Sequence, residues 1–326
     1  MNTQEQFRRL FDNEMSETEA RDFLISLHEK GESAEDIAAA ATVMREHSVK
    51  LPLSHELLEK AIDIVGTGGD KSGSFNISST VSLLLASLGL VVAKHGNRSI
   101  TSNSGSADLL EALGINLNLL PDNQVKMLEE TGFCFIFAMN HHPTMKHIMP
   151  IRRSIDHRTI FNLLGPLTNP SDARKYLLGV FDPAYIEVMA KALLELGVKR
   201  AHVVSSNDGM DEISVSSTTP FAYVEGGHIS QGLIDPEAYG FKLTPKEAIL
   251  GGDAKENAQI TKDIFRGKEQ GAKRDIVLIN AMFALFTDAK ARDLQEAKEM
   301  AISALDSGKA AEHTKHIATI SQKLAL

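Results

Sequence analysis

Residues 62–108 read as strand, glycine turn, helix and second strand, and no other stretch constrains the fold as tightly. Ile62, Ile64 and Val65 form a short apolar strand that ends in Gly66, Thr67, Gly68, Gly69 and Asp70. Glycines directly after a strand permit positive φ and bring bare backbone N–H groups close to a ligand. Asn76, Ser78, Ser79 and Thr80 then open an apolar run, residues 81–88, that predicts a buried helix. The first N–H groups of such a helix lack intrahelical partners, so a helix fed by a glycine turn is suited to anions. After Gly89 an apolar strand over residues 90–93 leads into Lys94, His95, Gly96, Asn97 and Arg98, which predicts a cationic loop. Both loops fall at the carboxyl edge of a parallel sheet, where open α/β folds bind their ligands.

The turn lacks the G-x-G-x-x-G spacing of a dinucleotide fingerprint, and no Gly-Lys-Ser/Thr closes it as a Walker loop. A lone GTGGD is equally a structural turn. The polar strings NISST, KHGNRS and SNSGSAD in the same stretch favour a ligand, because an apolar core has no use for so many donors.

The chain has 326 residues and a formal net charge of −9, which argues against a general nucleic-acid or membrane surface. Residues 1–14 contain no apolar signal core, and the longest mainly apolar run, residues 81–93, is too short to span a bilayer. The single cysteine, Cys134, lies in an apolar run, which excludes an internal disulfide and points to a reducing cytoplasm.

Residues 1–60 carry helical periodicity only: Phe7, Leu10 and Phe11; then Ala20, Phe23, Leu24 and Leu27; then Ile37, Ala40, Ala41 and Met44. Ser16 with Glu19, and Ser33 with Asp36, are capping-box pairs. From Ile62 onward strands alternate with helices, with further strands expected at residues 133–138, 177–180, 201–204 and 276–278. Residues 221–224 and 228–230 flank Gly226-Gly227 as a hairpin. The expectation is a small helical domain, residues 1–61, completed by a helical insertion near residues 143–172 that folds back onto it. Residues 62–142 and 173–326 would form an α/β domain with a mostly parallel central sheet flanked by helices, hinged beside the cationic loop.

Asp208, Asp211 and Glu212 follow a predicted strand; they suit Mg²⁺, which takes a few carboxylates plus substrate phosphates, or equally form a solvated acidic turn. His141, His142 and His147 lack the spacing of zinc ligands on one helix face. Arg152 can grip a carboxylate bidentately or make a surface ion pair, and Arg153 and Arg158 compete for the same role.

GTGGD, SFNISS, KHGNRS, SGSADLLEALG, HHPTMKH, RTIFNLLGPLTNP and DGMDEIS occur in this order over roughly residues 5–310. Together they closely resemble the anthranilate phosphoribosyltransferase family. The resemblance implies transfer of phosphoribose from 5-phosphoribosyl-1-pyrophosphate (PRPP) to the anthranilate amine, with release of pyrophosphate, in tryptophan biosynthesis. It implies PRPP contacts from Gly66, Gly69, Asp70, Ser74, Asn76, Ile77, Ser78, Ser79, Lys94, His95, Gly96, Asn97, Arg98, Ser99, Ile100, Thr101, Ser102 and Ser106. Anthranilate would meet Gly66, Asn97, Arg152 and His142. Ser78, Asp211 and Glu212 would hold Mg²⁺, two ions per subunit, and the helical domain would pair two subunits. Lys94 and His95 are the candidates for a catalytic role, although the chemistry implied is electrostatic and calls for no strong base. Asn103 stands where the family often has lysine, Ser205-Ser206 where it has a histidine-containing pair, and His157 where glycine is usual. Two other readings share the pattern: a pyrimidine nucleoside phosphorylase, which gives no reason for the acidic pair, and a non-catalytic nucleic-acid-binding relative, which the charge of −9 opposes.

Overall fold

The computed structural model describes residues 2–99 and 103–325. Its first three helices, Thr3–Phe11, Glu17–Lys30 and Ala34–Glu46, each start at a side-chain cap. Asn2, Ser16 and Ser33 accept the N–H groups of Glu5, Glu19 and Asp36, and those acids accept the cap N–H in return. Each cap contributes about 1 kcal/mol. Short helices still depend on packing, and the three apolar stripes read from the sequence are buried, at about 1.5–3 kcal/mol per large side chain.

Among the described residues seven strands follow: β1 (Ala61–Gly66), β2 (Val91–Gly96), β3 (Phe133–Phe137), β4 (Lys175–Gly179), β5 (Arg200–Val204), β6 (Thr219–Glu225) and β7 (His228–Ile234). They form one sheet in the order β3-β2-β1-β4-β5-β6-β7. The first five are parallel, and β6 and β7 add antiparallel at one edge as the expected hairpin. The chain winds from β1 out to β3, then returns to lay β4 on the other side of β1. Strand order therefore reverses between β1 and β4, and a crevice opens at their carboxyl ends.

Alternation along β1 divides the core between the two faces of the sheet. Ile62 and Ile64 pack into the core of helices Ile77–Ser87 and Ala272–Asp288. Ala61 and Val65 face the other core, shared with the N-terminal helices and helix Ile186–Glu195. Helix Met145–Arg153 packs on Glu17–Lys30, and helix Phe161–Leu164 on Ala34–Glu46, so the insertion lies against the N-terminal helices. Among the described residues no helix is long and apolar enough to cross a membrane.

Two expectations are corrected. Residues 276–278 are not a strand but lie inside helix Ala272–Asp288, buried on nearly every side. A short continuous apolar run carries no periodicity to tell a core strand from a core helix. Lys94 and His95 belong to strand β2 rather than to the loop after it, and both are buried.

Candidate active site

At the carboxyl ends of β1 and β2 lies a cavity of about 450 Å³. Its wall brings together the glycine turn, residues 74–79, the end of β2, Ser106 and the acids Asp211 and Glu212. Of the expected PRPP set, Gly66, Gly69, Asp70, Ser74, Asn76, Ile77, Ser78, Ser79, Lys94, His95, Gly96, Asn97 and Ser106 line it. Arg98 and Ser99 do not. Arg98 is held by Asp108 and Glu111 at 2.9 and 2.6 Å, and the Ser99 N–H donates to Asp108 at 3.3 Å. Ile100, Thr101 and Ser102 lie outside the described residues. Asn103 is on the wall.

The acidic loop reaches the cavity because two glycines let it pass. Gly66 and Gly179 are register partners at the ends of β1 and β4. A Cβ at Gly179 would lie 1.6 Å from the Asp211 carbonyl oxygen, and one at Gly66 would lie 2.3 Å from Asp211 Oδ2. Nothing larger than glycine fits at Gly179, where the clash is with backbone, and a side chain at Gly66 would displace the Asp211 carboxylate. Asn280, buried in helix Ala272–Asp288, holds the far side of the loop: it accepts the Ile213 N–H at 3.0 Å and donates to the Ile213 carbonyl at 2.8 Å. A lone asparagine in the run VLINAMFALF is the sequence signal for it. Asp208 serves the loop itself, accepting from Ser214 Oγ at 2.8 Å, whereas Asp211 and Glu212 face the cavity.

Burial, and then the Asp70 charge beside it, pushes the Asp211 carboxyl up to about 7. Burial, and then Asp211, holds Glu212 well above the usual carboxylate range. Asp211 Oδ2 accepts the Gly68 N–H at 2.7 Å, and Glu212 accepts the Ser78 N–H. Lys94 Nζ donates to the Ile64 carbonyl at 2.5 Å and to Ser78 Oγ at 3.3 Å, and burial lowers its pKa. Crowded carboxyls beside a hydroxyl are an all-oxygen donor set, the kind that hard divalent cations take. The residues present therefore fit Mg²⁺, with Asp211, Glu212 and Ser78 as the groups to hold it.

Sequence reasoning missed a second supporting residue. Asn257, 1% exposed in helix Ala254–Phe265, donates to Asn76 Oδ1 at 2.9 Å and accepts the Gly252 N–H at 2.8 Å. Ser104 completes the hub: its Oγ donates to Asn76 Oδ1, and its carbonyl accepts from Asn76 Nδ2, both at 3.0 Å. Asn76 thus does not cap its own helix; its amide is fixed by tertiary contacts. No local pattern around Asn257 announces this.

The residues expected to meet anthranilate divide. Gly66 and Asn97 line the cavity, whereas His142 and Arg152 do not. Arg152 is half-buried on helix Met145–Arg153, and desolvation lowers its pKa; Arg153 is exposed. His142 sits edge-on to His95, with ring centres 5.2 Å apart. Both rings are buried, and the Nε2 atom of each has no partner among the described residues. Burial, followed by the neighbouring histidines, pushes His95 well below its ordinary value and His142 down to about 4. His95 Nδ1 bonds the Gly165 carbonyl at 3.1 Å, and the backbone N–H of His95 donates to Asp63 Oδ1 at 3.2 Å. His141 and His147 bond the carbonyls of Val49 and Leu10 at 2.6 and 3.3 Å. His157 stacks on His28 at 4.1 Å, and Ser205 is fully buried.

Known proteins share this architecture. Residues 58–311 match the glycosyl transferase family a/b domain, and residues 2–48 its helical bundle domain. The anthranilate phosphoribosyltransferase of Rubrobacter xylanophilus is 42% identical over 93% of this chain and 87% of its own. That of Symbiobacterium thermophilum is 46% identical over 88% and 83%. The crystal structure of the Thermus thermophilus enzyme superposes with a TM-score of 0.92 at 38% identity, covering 98% of this chain and 94% of that one. The Saccharomyces cerevisiae enzyme in complex with PRPP and Mg gives 0.85 at 28% identity over 94% and 86%. With the helical and α/β parts both matched, and with such identity over most of its length, the chain belongs to the anthranilate phosphoribosyltransferase family.

Proposed function

We propose that the chain transfers the 5-phosphoribosyl group of PRPP to the amine of anthranilate, giving N-(5-phosphoribosyl)anthranilate and pyrophosphate for tryptophan synthesis. One observation carries this reading: a cavity floored by bare N–H groups and a buried lysine has two recessed carboxylates on its wall. Carboxylates repel a pyrophosphate unless a cation lies between them, so the site suits a magnesium-bound polyanion. The Saccharomyces cerevisiae relative is found in complex with PRPP and Mg, and in another structure with 4-fluoroanthranilate.

In the reaction the C1–O bond to pyrophosphate breaks, its electron pair leaves with the pyrophosphate, and the amine nitrogen bonds to C1. The nitrogen then sheds a proton. The N–H groups of residues 69–71, the start of helix Ile77–Ser87 and Lys94 receive the departing charge, so the barrier falls through fixed dipoles rather than a covalent intermediate. Asp211, Glu212 and Ser78 would hold Mg²⁺, two ions per subunit, whose charge would neutralise the diphosphate. His95 is held neutral by burial and is a weak base, in keeping with an arylamine that needs none before attack. Arg152 receives the anthranilate carboxylate, with Gly66 and Asn97 beside C1 and His142 on the approach. Residues 1–61 with the insertion 143–172 form the helical domain; two subunits pair through it, and the enzyme works in the cytoplasm.

The test is a product assay with anthranilate, PRPP and Mg²⁺ each omitted in turn. All three should be required, and uridine or thymidine with phosphate should give no turnover. Pyrophosphate release at full rate without anthranilate would overturn the reading.

A further inference from the structure

Arg158 lies between helices Met145–Arg153 and Phe161–Leu164, yet its guanidinium crosses to the glycine turn. Nη2 donates to the Gly69 carbonyl oxygen at 2.9 Å, and Cζ lies 3.5 Å from the centre of the Phe181 ring. The Phe181 N–H donates to Thr67 Oγ1 at 3.0 Å, and the Thr67 N–H donates to the Gly179 carbonyl at 3.0 Å. Hydrogen bond, stacked ring and turn therefore close on one another, with Arg158 as the member from the insertion.

The consequence is directional. Gly69 and Asp70 line the cavity and Arg158 does not, so the guanidinium grips the outer side of the turn. Carbonyl and N–H of one trans peptide point opposite ways, so fixing the Gly69 oxygen outward turns the Asp70 N–H inward. Among the described residues the N–H groups of Gly69, Asp70 and Lys71 have no protein acceptor. With φ of +67° at Gly68, +76° at Gly69 and +57° at Lys71, these groups form a concavity of the kind that receives anions. A glycine-rich turn left free would lose conformational entropy on binding; one already held loses less. Lysine can replace this contact only in part, because it has neither a flat face for Phe181 nor a fixed donor fork.

We propose that Arg158 is a positioning residue: it holds the glycine turn in its anion-receiving form and ties that turn to the segment bearing Arg152, without touching either substrate. This rests on the transferase reading for its kinetic arm only. The experiment compares wild type with Arg158→Met, Arg158→Lys and Phe181→Leu, measuring calorimetric binding of pyrophosphate with Mg²⁺ and both KM values. Arg158→Met should weaken pyrophosphate binding and raise the PRPP KM about tenfold, with kcat and the anthranilate KM within about twofold. Phe181→Leu should do the same at about threefold, and Arg158→Lys should recover only part of the loss. Unchanged pyrophosphate affinity in Arg158→Met would overturn the proposal, as would an anthranilate KM that rises as much as that for PRPP. A wild type that binds pyrophosphate but makes no product would sink the transferase reading alone, the calorimetry still deciding the role of Arg158. A wild type that binds no pyrophosphate would overturn both.

Discussion

The two halves of the site are built differently. The phosphate side grows from strand ends and one helix start, all on a single sheet, and its residues already surround a cavity. The aromatic-acid side proposed above draws on helix Met145–Arg153, packed against the N-terminal helices, and Arg152 and His142 stay off the cavity wall. Parallel strands deliver their loops to one edge whatever the rest of the chain does, so the first half is preformed. The second half depends on how two packed units sit against each other, and such contacts adjust more easily than a core.

The largest test of this contrast removes the acids. Asp211→Asn with Glu212→Gln should lower turnover by at least about a hundredfold, because the pyrophosphate charge then goes uncompensated. Melting should not worsen, since crowded carboxyls repel one another in the fold. Full turnover with unchanged Mg²⁺ dependence would mean the phosphate side works without these two acids.

Acid should strike where the halves meet. His95 and His142 are neutral in the fold, His142 titrating at about 4, whereas an unfolded histidine takes its proton near 6.5. Below pH 6.5 the unfolded chain thus binds more protons, and stability falls with falling pH down to about 4. Each such histidine adds a slope of up to about 1.4 kcal/mol per pH unit. Denaturant unfolding of His142→Gln between pH 6 and 4.5 should show one proton's less slope than wild type. An unchanged slope would show that His142 is protonated in the native protein.

Arg152→Lys keeps the charge but loses the paired hydrogen bonds, so the anthranilate KM should rise about tenfold and the PRPP KM less than twofold. Equal rises would merge the two halves and mark Arg152 as structural. The smallest effect belongs to Asn103. It lies on the cavity wall, so Asn103→Lys should tighten PRPP about fivefold at low salt, the gain shrinking as ionic strength rises. Kinetics at two salt concentrations would show whether position 103 senses the phosphates at all.

The difference also tracks what can be read from residues alone. The glycine turn, the polar head of helix Ile77–Ser87 and the capping boxes at Ser16 and Ser33 depend on neighbours within a few positions, so the sequence displays them. Residues 276–278 pass for a strand in sequence because burial on all sides erases the helical stripe. Arg98 has the chemistry of a phosphate contact, but Asp108 and Glu111, ten and thirteen residues on, draw it away from the cavity.

By itself, then, the sequence determined the alternation of strands and helices, the anion-suited turn and the pairing of Asp211 with Glu212, since each is a matter of residue type and short spacing. Only the tertiary structure decided that Gly179 yields the space Asp211 occupies, that Asn257 and Asn280 orient the two loops, and that Arg158 reaches the carbonyl of Gly69 in the glycine turn. Those contacts join positions far apart in the chain. Their geometry follows from strand order and helix packing, which no short window of residues contains.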